Sequence, residues 1–248
     1  MRLTLPETYQ SQVQHLQESA KFLPDSTGRQ PAPFPGFSII TPPASEDRVN
    51  QTLYSTLADY QQKIVQALGE NLFVPVPPES FHLTLADLIW DSNYRLASEA
   101  NANFDAQLQA QIAEIFQQSQ ALTEQQGIQL QILGLMLMPR AIAVCVVPTE
   151  EQGYDRLLKF RRAIYQNRDL IGLGVEQQYY FTPHITLGYF GDVPTEADFA
   201  QLSHQFENLN QQWLNKDPQT FWVHQAELRK FDNMTHFYRQ ADWAALQF

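Results

Sequence analysis

Two short segments, about a hundred residues apart, constrain this chain more than anything else in it. Phe81-His82-Leu83-Thr84-Leu85 and Phe181-Thr182-Pro183-His184-Ile185-Thr186-Leu187 each place His-x-Thr-Leu in what reads as a β-strand. Side chains alternate along a strand, so His82 and Thr84 project from one face while Phe81, Leu83 and Leu85 project from the other. The same alternation pairs His184 with Thr186, opposes them with Ile185 and Leu187, and puts Tyr189 on the face away from His184. The surroundings recur as well. A strand at Phe37 to Thr41 precedes a helix marked by Val49, Leu53, Leu57, Tyr60, Ile64 and Leu68 at spacings of three or four. A short extended piece from Leu72 to Val76, the first histidine strand, a helix from Ser98 to about Leu122 and a strand from Ile128 to Met138 follow. Then the order restarts: strand Ala141 to Val147, helix from about Tyr154 to Asn167, and the second histidine strand from Phe181 to Phe190. A helix from near Thr195, where T-E-A-D resembles a capping box, runs to before Lys216. Strands at Phe221 to Lys230 and Thr235 to Arg239 end the pattern.

Each half thus reads strand, helix, histidine strand, helix, strand. The first strands lie 104 positions apart and the two histidines 102. Such a pattern predicts a duplicated, two-lobed α+β fold, with two mainly antiparallel sheets facing a central cleft and helices on the outer faces. The halves run over about 36–138 and 141–240 within one domain, 36–240. Residues 1–35, with the proline-rich PDSTGRQPAPFP, read as an N-terminal arm or cap, and 241–248 as a C-terminal tail. The question is whether the two polar pairs meet in the cleft.

Charge and cysteine content narrow the function. Sixteen basic against 27 acidic residues give a net charge of -11, which disfavours wrapping of duplex nucleic acid. A small phosphorylated substrate held by a local set of donors remains compatible. Cys145 is alone, so no internal disulfide or cysteine-built metal site is expected, and AIAVCVVP reads as buried strand. Nothing like H-E-x-x-H occurs, and Gly172 and Gly174 fall far short of a nucleotide fingerprint, so the sequence implies no metal and no cofactor. The opening MRLTLPETYQSQ lacks the apolar run of a signal peptide, and no segment has the length of a membrane span. A soluble cytoplasmic protein without a membrane partner is the expectation.

Two histidines across a cleft suit general acid–base chemistry, because imidazole titrates near neutral pH. One takes a proton from an attacking water or hydroxyl while the other gives one to the departing oxygen. Threonine hydroxyls beside them can donate to the nonbridging oxygens of a phosphate held between. One His-x-Thr alone is weak, since both residues are ordinary in strands. Two copies at matching places in a repeated element order favour function over packing.

These motifs, His82-Leu83-Thr84-Leu85 and His184-Ile185-Thr186-Leu187, resemble those of the two-histidine (2H) phosphoesterase superfamily, over roughly residues 36 to 240. Pro35-Gly36-Phe37 and Phe231-Asp232-Asn233-Met234-Thr235 are similar to an uncharacterised bacterial branch. The resemblance implies a metal-independent phosphodiesterase that hydrolyses a 2',3'-cyclic or 2'-5'-linked nucleotide, or a similar small cyclic phosphate. Its substrate partner would be a small phosphodiester or short oligonucleotide. In that scheme His82 and His184 are the catalytic pair and Thr84 and Thr186 their hydroxyl companions. The rival reading is a noncatalytic nucleotide-binding or sensor protein using the same cleft. Candidate substrate-binding residues are Tyr180 and Phe181, as rings on which a base could stack, and Arg162 and Arg229, as phosphate partners. Core packing competes for the rings, and solvation of a helix face competes for the run Lys159, Arg161, Arg162 and Arg168.

Overall fold

The computed structural model describes residues 9–26, 28–122, 126–178, 180–193, 199–214 and 219–248. A short helix, α1 (Tyr9–Gln12), precedes a hairpin of β1 (Phe22–Asp25) and β2 (Gly28–Pro31) in the arm. The first half continues with β3 (Gly36–Ile40), α2 (Gln51–Leu68), β4 (Phe73–Pro75), β5 (Thr84–Trp90), α3 (Asp91–Ala100), α4 (Phe104–Gln118) and β6 (Ile128–Met138). The second comprises β7 (Ala141–Pro148), α5 (Glu151–Tyr165), α6 (Arg168–Gly172), β8 (His184–Phe190), α7 (Phe199–Leu214), β9 (Thr220–Val223), β10 (Gln225–Asn233), β11 (His236–Tyr238) and β12 (Ala245–Gln247). This is the α+β architecture expected, with two five-stranded antiparallel sheets and helices against them.

The sheets are not built one from each half, and this corrects the simple division at 138–141. One sheet runs β11-β10-β3-β5, with β12 also paired to β10; the other runs β4-β8-β7-β6-β9. The last long strand of each half, β6 or β10, therefore joins the sheet of the opposite half. The long helices trade places too. α2 packs on β4 and α7 beside the second sheet, and α5 packs on β5 of the first. Separating the halves would strip the first sheet of β10, β11 and β12 and the second of β4 and β6, each with a covering helix, so neither half can close a core alone.

Local chemistry explains the other departures. The expected helix from Ser98 is two helices, broken at Asn101, whose side chain accepts from the Asn103 backbone N–H and so favours a turn. Its earlier segment begins at Asp91, immediately after β5. Val49 is exposed ahead of α2 rather than on its buried stripe. The tail is structured: β12 pairs antiparallel with β10, and Phe248 packs edge-on against Phe160. The capping box at Thr195 and the helix end near Lys216 lie outside the described residues.

The two histidine strands come together at the centre. An isolated antiparallel bridge joins Leu83 to Ile185, the residues between histidine and threonine in each motif. Leu83 also exchanges hydrogen bonds with Thr41, its amide donating to the Thr41 Oγ1 and its carbonyl accepting from the Thr41 amide. Leu83, Leu85, Ile185 and Leu187 are fully buried, so the apolar half of each motif anchors the strand and turns the polar half outward.

Candidate active site

His82, Thr84, His184 and Thr186 all line one cavity of about 810 Å³. The two polar pairs do meet. Each ring is fixed in the same way: Nδ1 of His82 lies 2.7 Å from the Ser80 carbonyl, and Nδ1 of His184 lies 2.7 Å from the Thr182 carbonyl. A carbonyl only accepts, so each Nδ1 carries the proton in that bond. Nε2 is then the basic nitrogen of each neutral ring. Burial pulls His82 down to about 4, with the positive charges of Arg229 and a protonated His184 adding to the effect. The ring of His82 also packs against Phe237, centroids 4.4 Å apart. At neutral pH His82 is therefore a neutral imidazole, able to accept a proton.

Beyond each threonine, strict alternation fails. The register between β3 and β5 shifts between Ile39 and Ile40, making Leu85 an extra residue, and again between Phe37 and Ser38, making Leu88 another. Thr84, Asp87 and Trp90, three apart, consequently all line the cavity. In β8 the register against β7 shifts between Ile142 and Ala143, and Leu187 is the extra residue. Tyr189 is thereby turned onto the cavity side, three after Thr186, contrary to the sequence expectation. Asp87 and Tyr189 thus hold the same place, five residues past the histidine, in the two halves.

Both bulges are clamped from the opposite half. Arg161 of α5 is buried and donates to the Leu85 carbonyl and to those of Gln178 and Tyr180. Tyr165, one turn later, donates to the Asp87 carbonyl at 3.0 Å. Gln61 of α2 is buried and donates to the Leu187 carbonyl at 2.6 Å and to that of Val76 at 2.8 Å. A bulge frees a ladder carbonyl inside the core, where an unpaired acceptor is costly. Each half directs one polar side chain from an otherwise apolar helix face to that carbonyl, and the Leu187 carbonyl accepts from the Val76 amide as well, at 3.1 Å.

The arm supplies one wall. Gln17, Ser19, Ala20, Lys21 and Phe34 line the cavity, and backbone bonds tie the arm to both sheets: Gln17 to Pro139, Ser19 to Phe190, and Phe34 to Asp232. Arg29, with its side chain largely buried, binds Glu18, Asp192 and the Phe22 carbonyl, locking the hairpin onto the end of β8.

The candidate substrate-binding residues fall elsewhere. Tyr180 is 92% exposed and outside the cavity lining. Phe181 lies beneath the Arg161 guanidinium, 4.2 Å from its ring centroid, and serves the clamp. Arg162 is exposed on α5. Arg229 is 1% exposed and bound by Glu46 and Glu227, so its guanidinium is committed to an ion-pair network behind His82 rather than to the cavity. The rings that do line the cavity are Phe34, Trp90, Tyr189, Phe231 and Phe237, and its cations are Lys21 and Arg140. No group of three or more His, Cys, Asp or Glu side chains among the described residues is arranged to hold a metal ion. No helix among them is long and apolar enough to cross a membrane.

Residues 21–141 match the family model 2H-phosphodiest, described as a domain of unknown function (DUF1868). The resemblance to the two-histidine phosphoesterases holds. The matched span carries the first motif, the arm hairpin and the whole first half. The fold is similar to the crystal structure of a conserved protein of unknown function from Agrobacterium tumefaciens, at TM-score 0.59 and 14% identity, over 92% of this chain and 91% of that one. More distant likenesses are TT0787 of Thermus thermophilus (TM-score 0.45, 14% identity, 78% and 86% coverage) and apo LigT of E. coli (TM-score 0.46, 14% identity, 88% and 100% coverage). No curated protein matches the sequence significantly.

Proposed function

We propose that the protein is a metal-independent phosphodiesterase that opens a 2',3'-cyclic nucleotide, cuts a 2'-5' link, or hydrolyses a similar small cyclic phosphate. The observation that carries this reading is the convergence of both His-x-Thr pairs in one cavity, each ring held through Nδ1 by a backbone carbonyl two residues earlier. Neutral His82 accepts a proton at Nε2 from the attacking water as its oxygen bonds to phosphorus. Protonated His184 gives its Nε2 proton to the ester oxygen as the P–O bond breaks, leaving a monoester and a hydroxyl. Thr84 and Thr186 donate to the nonbridging oxygens, where negative charge grows in the transition state. A cavity of about 810 Å³ with aromatic walls suits a nucleotide or dinucleotide rather than a polymer threaded through.

The test is product analysis on 2',3'-cyclic nucleotides, 2'-5' dinucleotides and small cyclic phosphates, run in chelator. The expected outcome is a monoester from at least one class at full rate without added metal. Binding of these compounds without turnover would replace the reading with the sensor alternative.

A further inference from the structure

We propose that Lys21, delivered by the N-terminal arm, together with Arg140, forms a second anion subsite in the cavity, so that the preferred substrate is a small phosphodiester bearing another anionic group, such as a 5'-phosphorylated 2',3'-cyclic nucleotide. The inference rests on the reading that the threonine pair receives the reacting phosphate.

Lys21 follows Ser19 and Ala20 in the segment bonded to Phe190 and Pro139, so its backbone is fixed against the second sheet. Its Nζ lies 4.7 Å from the Phe34 ring centroid and 5.1 Å from that of Tyr189. Two rings thus hold the ammonium inside the cavity rather than letting its long stem reach solvent. Arg140, from the β6–β7 turn, lines the same cavity and repels it. Among the described residues no carboxylate lies within ion-pair distance of Lys21. Asp87 attracts it from farther away, and the hydrogen bond that Ser38 donates to the Asp87 side chain is a long one of 3.4 Å. Burial lowers the Lys21 pKa, Asp87 opposes that, and Arg140 reinforces it.

Two cations brought together at one wall, one of them half-buried, are unfavourable without an anion between them. In a chain of net charge -11 their placement here is selective. The phosphate held by Thr84 and Thr186 does not account for Lys21, which belongs to neither motif and enters from the arm. A substituent on the far side of the substrate meets it instead. Asp87 lines the same cavity and interacts with both Lys21 and His184, so its carboxylate disfavours further negative charge beside it and helps keep the two anion sites apart.

Calorimetric binding of adenosine 2'-monophosphate and adenosine 2',5'-bisphosphate tests this on the wild type, Lys21→Met, Lys21→Arg and Arg140→Gln proteins. The wild type is expected to prefer the bisphosphate by roughly tenfold or more, the scale of one charge-assisted hydrogen bond. Lys21→Met should bring the two affinities within about twofold, Lys21→Arg should keep most of the preference, and Arg140→Gln, at an exposed side chain that leaves the fold intact, should lose part of it. Absence of a wild-type preference, or its survival in Lys21→Met, overturns the proposal. Because binding is the readout, a preference that depends on Lys21 would stand even if no cyclic phosphate were turned over. Turnover without any preference would keep the phosphodiesterase reading and sink this one.

Discussion

The two histidine motifs are alike in frame and unlike in lining. Both bind Nδ1 to a carbonyl two residues back, both place a threonine beside the ring, and both bulge one residue later. The place that each bulge turns into the cavity, however, holds an acid in one half and a phenol in the other: Asp87 against Tyr189. Burial raises the pKa of both, but Asp87 is held back by Lys21, His184 and Arg161, whereas Tyr189 sits beneath the Lys21 ammonium. On the proposed mechanism, duplication supplies a symmetric proton-transfer frame, and divergence at the bulged position gives the cavity a direction. A substrate with two different ends can then bind in one orientation, so that one histidine faces the water and the other the leaving oxygen.

The largest effect that would break the comparison is loss of either ring. His82→Ala and His184→Ala should each lower kcat by roughly 10²–10⁴, while affinity for a monophosphate product changes only a few-fold, measured by steady-state kinetics and calorimetry. A fall in one variant alone would show that the halves do not share the work.

Smaller effects should follow from the clamps. Arg161→Met takes the side-chain donor from the buried Leu85 bulge carbonyl, at a cost of about 1–3 kcal/mol, whereas Gln61→Leu leaves the Leu187 carbonyl its bond from the Val76 amide and should cost less. Denaturant unfolding should place Arg161→Met lower, because three carbonyls lose the Arg161 donor there, while of the two that Gln61 serves the Leu187 carbonyl keeps the Val76 amide. Equal losses would mean that the remaining contacts of Arg161 are energetically idle.

Much of this frame was legible in the sequence. The element order predicted an α+β duplication, and the spacing of the motifs predicted polar pairs on matching strands that the fold brings to one cavity. What alternation could not reveal was the phase change after each threonine, because a bulge depends on pairing with a neighbouring strand. Asp87 and Tyr189 were hidden for that reason. The clamps did leave a trace: Leu57, Tyr60, Gln61 and Ile64 match Leu157, Phe160, Arg161 and Ile164 in spacing, with one polar residue inside each buried stripe. Counting charges along α5 instead singled out Arg162, its exposed neighbour. The exchange of β6 and β10 between sheets was invisible because a repeated element order is the same whether the halves fold separately or interleave. Lys21 was missed because a proline-rich arm carries no periodicity from which to read a wall.

The pH dependence of kcat/KM tests the acid–base account most directly. Because burial lowers the His82 pKa, the ring stays neutral as pH falls from 7 and protonates only near pH 4. The account predicts activity on the cognate phosphodiester retained at pH 5.5, an acid limb with its midpoint near 4, and no such limb in the residual activity of His82→Ala. An acid limb centred near the ordinary histidine value of 6.5, or one near 4 that survives in His82→Ala, would contradict it.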